Sequence, residues 1–519
     1  MKNNQPHKSE REHLMPGGLS KNILLSVFSG ILLFLSFPKY GSGILAWIAL
    51  IPLFYTLKKT TEVKKGLLLG FITALVSYIG LLYWIAYVTV NYGHLPLYVG
   101  MILMLLLASY LSLYVALFSG CVVYLQKIIP VYLSAPVLWV CFEYGKSIII
   151  TGFPWENLGY SQYSNLYIIQ IADVTGVWGI SFLIILVNAT LLEIMTNQSK
   201  KKYILAGVVF SFLVAIFIYG FYRVDQVRKI VNDLPETEVS LIQGNVEQAV
   251  KWNENYQRET LARYERLSLE KSPGNNSLIV WPETAAPFRF QDLNYLHDQI
   301  VNLAFKTKSW LLFGSISRSE DDHFNSAYLL SPAGEVRGKY DKVHLVPYGE
   351  YVPLRKFMPF VRGLTAGIGD FRAGPNFYPL SIDDKKIGVL ICYEAILSHA
   401  VRTYKGYSAE LLVNITNDAW FGATSAPYQH FSMTVLRAVE TRLYLIRAAN
   451  TGISGIIDPT GRIIAQTDIF QEDVLKGYIK FVKIPTIYDE CGDIIVLLCF
   501  ALMFFYFMFN FTRRSAACR

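Results

Sequence analysis

The sequence predicts a polytopic α-helical membrane domain of about eight transmembrane helices joined to one extracytoplasmic α/β domain. Three observations carry this. Apolar residues make up 53% of the 519-residue chain, above the share of a soluble domain, and they are concentrated before Tyr222 and near the C-terminus. Short Lys and Arg clusters punctuate the apolar runs on one side only. Between the two apolar blocks lies a polar stretch in which strand-like and helix-like periods alternate.

Taken in order, the apolar runs fall at Ile23–Phe37, Gly43–Leu57, Leu67–Val90, Leu95–Leu125, Val131–Ile150, Leu166–Met195, Tyr203–Tyr222 and Ile494–Phe511. Most reach the roughly 20 residues that cross a bilayer as a helix. The first has no small-residue cleavage site and is followed at once by further runs, so it reads as an uncleaved helix. Lys58, Lys59, Lys64, Lys65, Lys127, Lys200, Lys201, Lys202, Arg513 and Arg514 then share one side, which the positive-inside rule makes cytoplasmic. Residues 1–222 read as a membrane domain with seven transmembrane helices, 223–236 as a linker, 237–490 as an α/β domain outside, and 491–519 as a last transmembrane helix with a cytoplasmic tail.

Within the polar stretch, strands are expected at Val239–Gln243, Ser277–Trp281, Trp310–Ile316, Ile387–Cys392 and Leu411–Thr416. Helices are expected at Asn255–Leu269, Leu293–Lys308 and Pro427–Arg447. Turn chemistry marks Ser331–Gly334 and Asp458–Gly461. Alternation of this kind argues for sheets covered by helices.

The net charge of +8 sits largely in clusters beside apolar runs, so nucleic acid is not an expected partner. Six cysteines show neither a disulfide framework nor metal-ligand spacing, and no Walker loop or dinucleotide pattern occurs. No metal and no cofactor are expected. Trp84, Trp139, Trp155 and Trp178 read as interfacial belt residues. Glu143, Lys146 and Asp173, near the outer ends of two runs, read as functional or as simply solvated.

Three residues stand out in the α/β domain. Cys392, in KKIGVLICYEAIL, ends an apolar strand before helix-compatible residues. A helix N-terminus there would favour thiolate, and the Tyr393 N–H could help hold an oxyanion. Glu283, in SLIVWPETAAP, ends another strand, with Pro282 fixing its approach. Lys342 precedes the apolar, proline-pinned loop LVPYGEYVP, whose one acid, Glu350, is its natural partner. Each has a bland alternative: an inert buried thiol, a solvated carboxylate, a surface lysine. Together they supply nucleophile, base and oxyanion cation without histidine; His344 and His430 read as structural.

WPET, YDKVHLVPYGEYVP and ICYE, in that order, resemble the nitrilase (carbon–nitrogen hydrolase) superfamily. With the surrounding spans, QGNVEQAVKW, NITNDAWFG and GFPWENLGYSQ, the whole chain resembles the bacterial apolipoprotein N-acyltransferase family. That resemblance implies an αββα sandwich, with Glu283 as base, Lys342 as oxyanion stabiliser and Cys392 as nucleophile. It also implies Glu350 beside Lys342, Tyr393 and Glu394 lining the site, and Trp252 in a substrate-sensing loop. The implied reaction takes an acyl chain from a phospholipid onto Cys392 and passes it to the α-amino group of a diacylglyceryl-cysteine lipoprotein acceptor. The implied setting is a multi-pass monomer in the bacterial inner membrane. A membrane-tethered amidase or nitrilase, using the same three residues with water as acceptor, is the rival reading. A transporter with a binding domain has no use for them. The segment Pro353–Phe371, with Phe357 and Phe360 among basic residues, is expected to touch the bilayer.

Overall fold

The computed structural model describes residues 16–248, 254–270, 274, 276–347, 349–351 and 371–517. Trp252 and nearly all of Pro353–Phe371 lie outside them.

Helices occupy the expected apolar runs: α1 (Pro16–Phe34), α2 (Ile51–Lys59), α3 (Val63–Leu82), α4 (Trp84–Asn91), α5 (Leu97–Leu125), α6 (Val131–Ile148), α7 (Ala172–Thr175), α8 (Val177–Thr196) and α9 (Lys201–Asn232). Five helices among the described residues are long and apolar enough to cross a bilayer: α3, α5, α8, α9 and the C-terminal helix over Ile494–Arg513. With apolar residues on every face, such helices gain little from hydrophobicity alone in lipid, and close packing holds them together. At Gly70 on α3, a Cβ would come within 2.2 Å of Ser119 Oγ on α5, so only glycine permits that crossing.

Several boundaries differ from expectation. The third run breaks at Tyr83 into α3 and α4. The sixth is broken: Ile168–Ile171 is a 3-10 turn, α7 is a single helical turn, and the long helix α8 begins only at Val177, after Gly176 at φ +61°. Residues 223–232, expected as linker, continue α9. The four tryptophans of the expected belt are buried, at 8% exposure or less.

The α/β part contains strands β1 (Thr237–Gln243), β2 (Leu278–Val280), β3 (Ala286–Arg289), β4 (Trp310–Ser319), β5 (Asp322–Leu330), β6 (Val336–Asp341), β7 (Leu380–Ile382), β8 (Lys385–Ile391), β9 (Leu411–Thr416), β10 (Tyr444–Ala449), β11 (Gly455–Ile457), β12 (Ile463–Gln466) and β13 (Asp473–Ile479). Helices α10 (Glu254–Glu270), α11 (Tyr295–Thr307), α12 (Ser398–Gly406), α13 (Ala426–Thr441), α14 (Ile487–Cys491) and α15 (Ile494–Ala517) complete the chain. Asn294 caps α11 by accepting from the Leu296 and His297 amides. The expected helix Pro427–Arg447 ends at Thr441, where Arg442 turns left-handed (φ +53°) and the chain becomes β10.

One sheet has the order β13-β1-β2-β4-β5-β6, with β3 on β4; the other runs β12-β11-β10-β9-β8-β7. Alternation along the strands explains the layering. Val239, Leu241 and Val280 share a core with Val389, Val413 and Ile446 of the facing sheet. Ile242, Ile279 and Phe313 point the other way, onto Leu261 and Tyr264 of α10 and Ile300 and Leu303 of α11. With α12 and α13 behind the second sheet, the result is an αββα sandwich. Parallel pairs β1–β2–β4 and β8–β9–β10 form the two centres, so carboxyl ends of strands from both sheets gather at one edge, where α/β sheets place ligands.

Asp173 joins this sandwich to the membrane helices. Buried at 2% exposure, it accepts from Arg442 Nη2 (2.8 Å), Arg223 Nε (2.7 Å) and Tyr219 OH (2.7 Å). A solvated residue was one reading of the sequence; the buried cluster replaces it. Asp173→Ala leaves two guanidinium groups without their carboxylate, which costs roughly 3–5 kcal/mol for a buried pair. A clear fall in the thermal unfolding temperature in nanodiscs is expected, and an unchanged melt would contradict this account.

Candidate active site

Glu283 lies beyond β2 at the turn Pro282–Thr284, where Thr284 is left-handed (φ +48°). Gly314 on β4 makes room: a Cβ there would lie 2.4 Å from the Thr284 amide nitrogen. The Glu283 carboxylate accepts from Asn325 Nδ2 (2.7 Å) and from the Asn417 amide (2.9 Å), so both sheets hold it.

Lys342 leaves the end of β6 almost wholly buried, at 1% exposure. Its Nζ lies 2.9 Å from Glu350 and 3.8 Å from Glu283 Oε1. Burial opposes its charge, but Glu350, Glu283, Cys392 and Glu394 outweigh that and hold its pKa above the usual lysine range. Asn325 Nδ2 also donates to Glu350 (2.9 Å), and the Val346 amide fixes the other Glu350 oxygen (2.9 Å). Glu283 and the Lys342–Glu350 pair, from distant parts of the sequence, thus share one polar knot in which Asn325 donates to both carboxylates.

Cys392, the residue after β8, is left-handed at φ +54°, a strain of about 1–3 kcal/mol that a site must over-determine to keep. From there the chain makes only a five-residue 3-10 turn, Cys392–Ile396, too short for the helix-dipole stabilisation the sequence suggested. Desolvation and then the Glu283 charge push the thiol up to about 12, with Lys342 pulling the other way. The thiolate expected from the sequence is therefore replaced by a neutral thiol beside a carboxylate.

Glu394 does not open into the site. Fully buried, it accepts from Tyr340 OH (3.0 Å) and from the amides of Val343 (2.8 Å), His344 (3.0 Å) and Ile391 (2.8 Å). It clamps the Lys342 loop to the Cys392 turn, and burial lifts its pKa to about 7. Tyr393 lies between His344 and Trp155, ring centroids 5.7 and 6.4 Å away and both nearly parallel. Burial, then His399 and Lys342, push His344 down to about 4, so it is neutral at pH 7.

Behind Cys392 lies a second network. His430 Nδ1 lies 3.0 Å from Asp418, its Nε2 lies 3.3 Å from the Cys392 carbonyl oxygen, and Arg447 Nη2 reaches Asp418 at 2.7 Å. Asp418 is held below the usual carboxylate range: burial opposes its charge, but Arg447 and His430 prevail. From the membrane side, Trp155 donates to Gln429 (2.9 Å) and packs on Trp84, Phe421 and His430. Asp418 and Trp155 lie in NITNDAWFG and GFPWENLGYSQ, so a sequence signal existed for them; Asn325 carried none. Among the described residues, no group of His, Cys, Asp and Glu could hold a metal ion.

Residues 29–190 match the family described as apolipoprotein N-acyltransferase N-terminal domain, and residues 238–486 match carbon–nitrogen hydrolase. A Geobacter metallireducens protein named apolipoprotein N-acyltransferase is 45% identical over 500 residues, covering 93% of this chain and 94% of its own. One of the same name from Haemophilus ducreyi is 31% identical over 503 residues, covering 95% and 97%. Another, from Rickettsia prowazekii, is 34% identical over 369 residues, covering 70% and 73%.

Proposed function

The chain belongs to the apolipoprotein N-acyltransferase family, and from that premise we propose how its own residues carry out lipoprotein N-acylation. The supporting observation is one polar knot, Glu283–Lys342–Glu350, next to a neutral thiol at the strained end of β8.

In the first half-reaction Glu283 takes the Cys392 proton as sulfur attacks a phospholipid ester carbonyl. Lys342 and the Tyr393 amide face the developing oxyanion. Collapse breaks the ester C–O bond. Glu283 returns the proton to the leaving alkoxide, which departs as lysophospholipid and leaves a thioester. In the second half-reaction the α-amine of a diacylglyceryl-cysteine attacks the thioester. Glu283 accepts the amine proton, the C–S bond breaks, and Cys392 regains its proton as the amide leaves. Glu350 and Glu394 hold Lys342 and the turn in place, and Trp252 belongs to the loop that senses substrate.

In this reading eight helices cross the inner membrane of a bacterium. Residues 1–222 and 491–519 are membrane segments, and the 237–490 domain lies outside, where the positive-inside rule puts it. The enzyme works as a monomer.

Amine-dependent discharge separates this reading from the tethered amidase. Acyl-enzyme formed from phospholipid in nanodiscs should hold its thioester until a diacylglyceryl peptide is added, then lose it with the peptide gaining one acyl chain by mass. Discharge by water at the same rate, with free fatty acid as product, would favour the hydrolase.

A further inference from the structure

His430, structural on the sequence reading, lies with Asn414 behind the peptide that follows the nucleophile. The Cys392 carbonyl oxygen is 3.3 Å from His430 Nε2 and 3.4 Å from Asn414 Nδ2. Strand register explains the second contact: Asn414 on β9 pairs with Leu390 of β8 on one side and with Arg447 of β10 on the other. Its Nδ2 thus reaches the carbonyls of both Leu390 (2.9 Å) and Cys392. A single guanidinium orients both donors. Arg447 Nη1 donates to Asn414 Oδ1 (2.7 Å), which turns the Asn414 N–H groups toward β8. Arg447 Nη2 donates to His430 Nδ1 (2.9 Å) and to Asp418 Oδ2 (2.7 Å). All four side chains are at most 1% exposed.

Burial, and then the Arg447 charge, lower the His430 pKa, so at pH 7 the ring is neutral and carries one N–H. Its neighbours decide where. A proton on Nε2 serves the carbonyl and leaves Nδ1 to accept from Arg447. A proton on Nδ1 would lose that bond and set the Nε2 lone pair against the carbonyl oxygen. Asp418 Oδ1, 3.0 Å from Nδ1, already accepts from the Thr416 hydroxyl (3.0 Å) and does not need the ring proton.

A trans peptide is planar, with its C=O and N–H pointing in opposite directions. Fixing the Cys392 oxygen therefore fixes the direction of the Tyr393 N–H, the donor that faces the oxyanion in the proposed mechanism. A donor on the carbonyl also polarises the amide and strengthens its N–H. Resting on that mechanism, we infer that His430 and Asn414 are positioning residues for the oxyanion site, acting through the Cys392–Tyr393 peptide, with Arg447 orienting both.

Acylation of the full-length protein in nanodiscs by a p-nitrophenyl acyl ester, followed by nitrophenolate release, tests this. The probe builds the same oxyanion whether the natural donor is a phospholipid or an amide. His430→Phe keeps a flat ring against Trp155 and Phe421 and loses the donor. Its acylation rate constant should fall about tenfold at unchanged KM, less than the roughly 10²–10³ of a deleted oxyanion donor, because the Tyr393 N–H remains. His430→Gln, which can place an amide N–H near the Nε2 position, should recover most of the rate. Alkylation of Cys392 by iodoacetamide builds no oxyanion, so both variants should match the wild type, which also shows that they are folded. In the acyl-enzyme, an isotope-labelled thioester carbonyl should absorb at higher wavenumber in His430→Phe than in the wild type, reporting a weaker hydrogen bond. Unchanged acylation in His430→Phe overturns the assignment, as do acylation and alkylation that fall together without rescue by glutamine. A wild type that takes no acyl group from the ester would instead remove the acyl-enzyme mechanism beneath it, a result distinct from both.

Discussion

Cys392→Ser incubated with phospholipid forms no hydroxylamine-labile acyl adduct, whereas the wild type gains the mass of one acyl chain and releases one lysophospholipid. Turnover falls by more than about 10⁴-fold. Serine nearly matches cysteine in size and tolerates the same left-handed backbone, so the turn at φ +54° and the Glu394 clamp beneath it persist. Only the nucleophile changes. A serine hydroxyl is far less acidic than even a thiol raised to about 12, and its product would be an oxygen ester, resistant to hydroxylamine under mild conditions. The other described cysteines offer no substitute: Cys121 lies on α5, Cys141 on α6, Cys491 on α14 and Cys499 on α15, none in the segments that carry the polar knot. A hydroxylamine-labile adduct persisting in the variant would place the nucleophile elsewhere.

The parts of this architecture legible in the sequence are those governed by period and chain order. β9 was readable as Leu411–Thr416 because a strand buried on both faces is a continuous apolar run, and α11 because its apolar spacing over Leu293–Lys308 has the helical period. Turns at Gly334 and Gly461 need positive φ and carry the residues that supply it. Illegible were features set by what a distant segment brings. Asp173 looks like an interfacial acid until Arg442, far along the chain, meets it. Trp155 and Trp84 look like belt residues because composition cannot tell a ring facing lipid from one facing Tyr393. Cys392 read as a helix-activated thiolate because ICYEAIL permits a helix. Its left-handed backbone, its burial and its Glu283 neighbour arise from tertiary packing, and desolvation and then the Glu283 charge reverse the direction of the shift. Asn325, donating to both Glu283 and Glu350, sits in an ordinary strand with no motif around it.

That reversal makes Glu283 the residue on which acylation depends most after the thiol itself. At pH 7 a thiol pushed up to about 12 by burial and the Glu283 charge stays protonated, so a base must remove its proton as the sulfur attacks. Glu283→Gln removes that base and sets an amide against two donors, Asn325 Nδ2 and the Asn417 N–H. Acylation should slow by about 10³–10⁴-fold, within the range of general-base catalysis. The same substitution removes a negative charge that raises the thiol pKa, second only to desolvation. Its thiol should therefore titrate at lower pH than the wild type's when alkylation by iodoacetamide is followed against pH. A more acidic thiol in a slower enzyme is the signature of a lost base. The variant's acylation rate should also climb about tenfold per pH unit above 7, as hydroxide populates the thiolate the carboxylate no longer provides. If Glu283 only braced the site, acylation and alkylation would fall together and raising the pH would rescue neither.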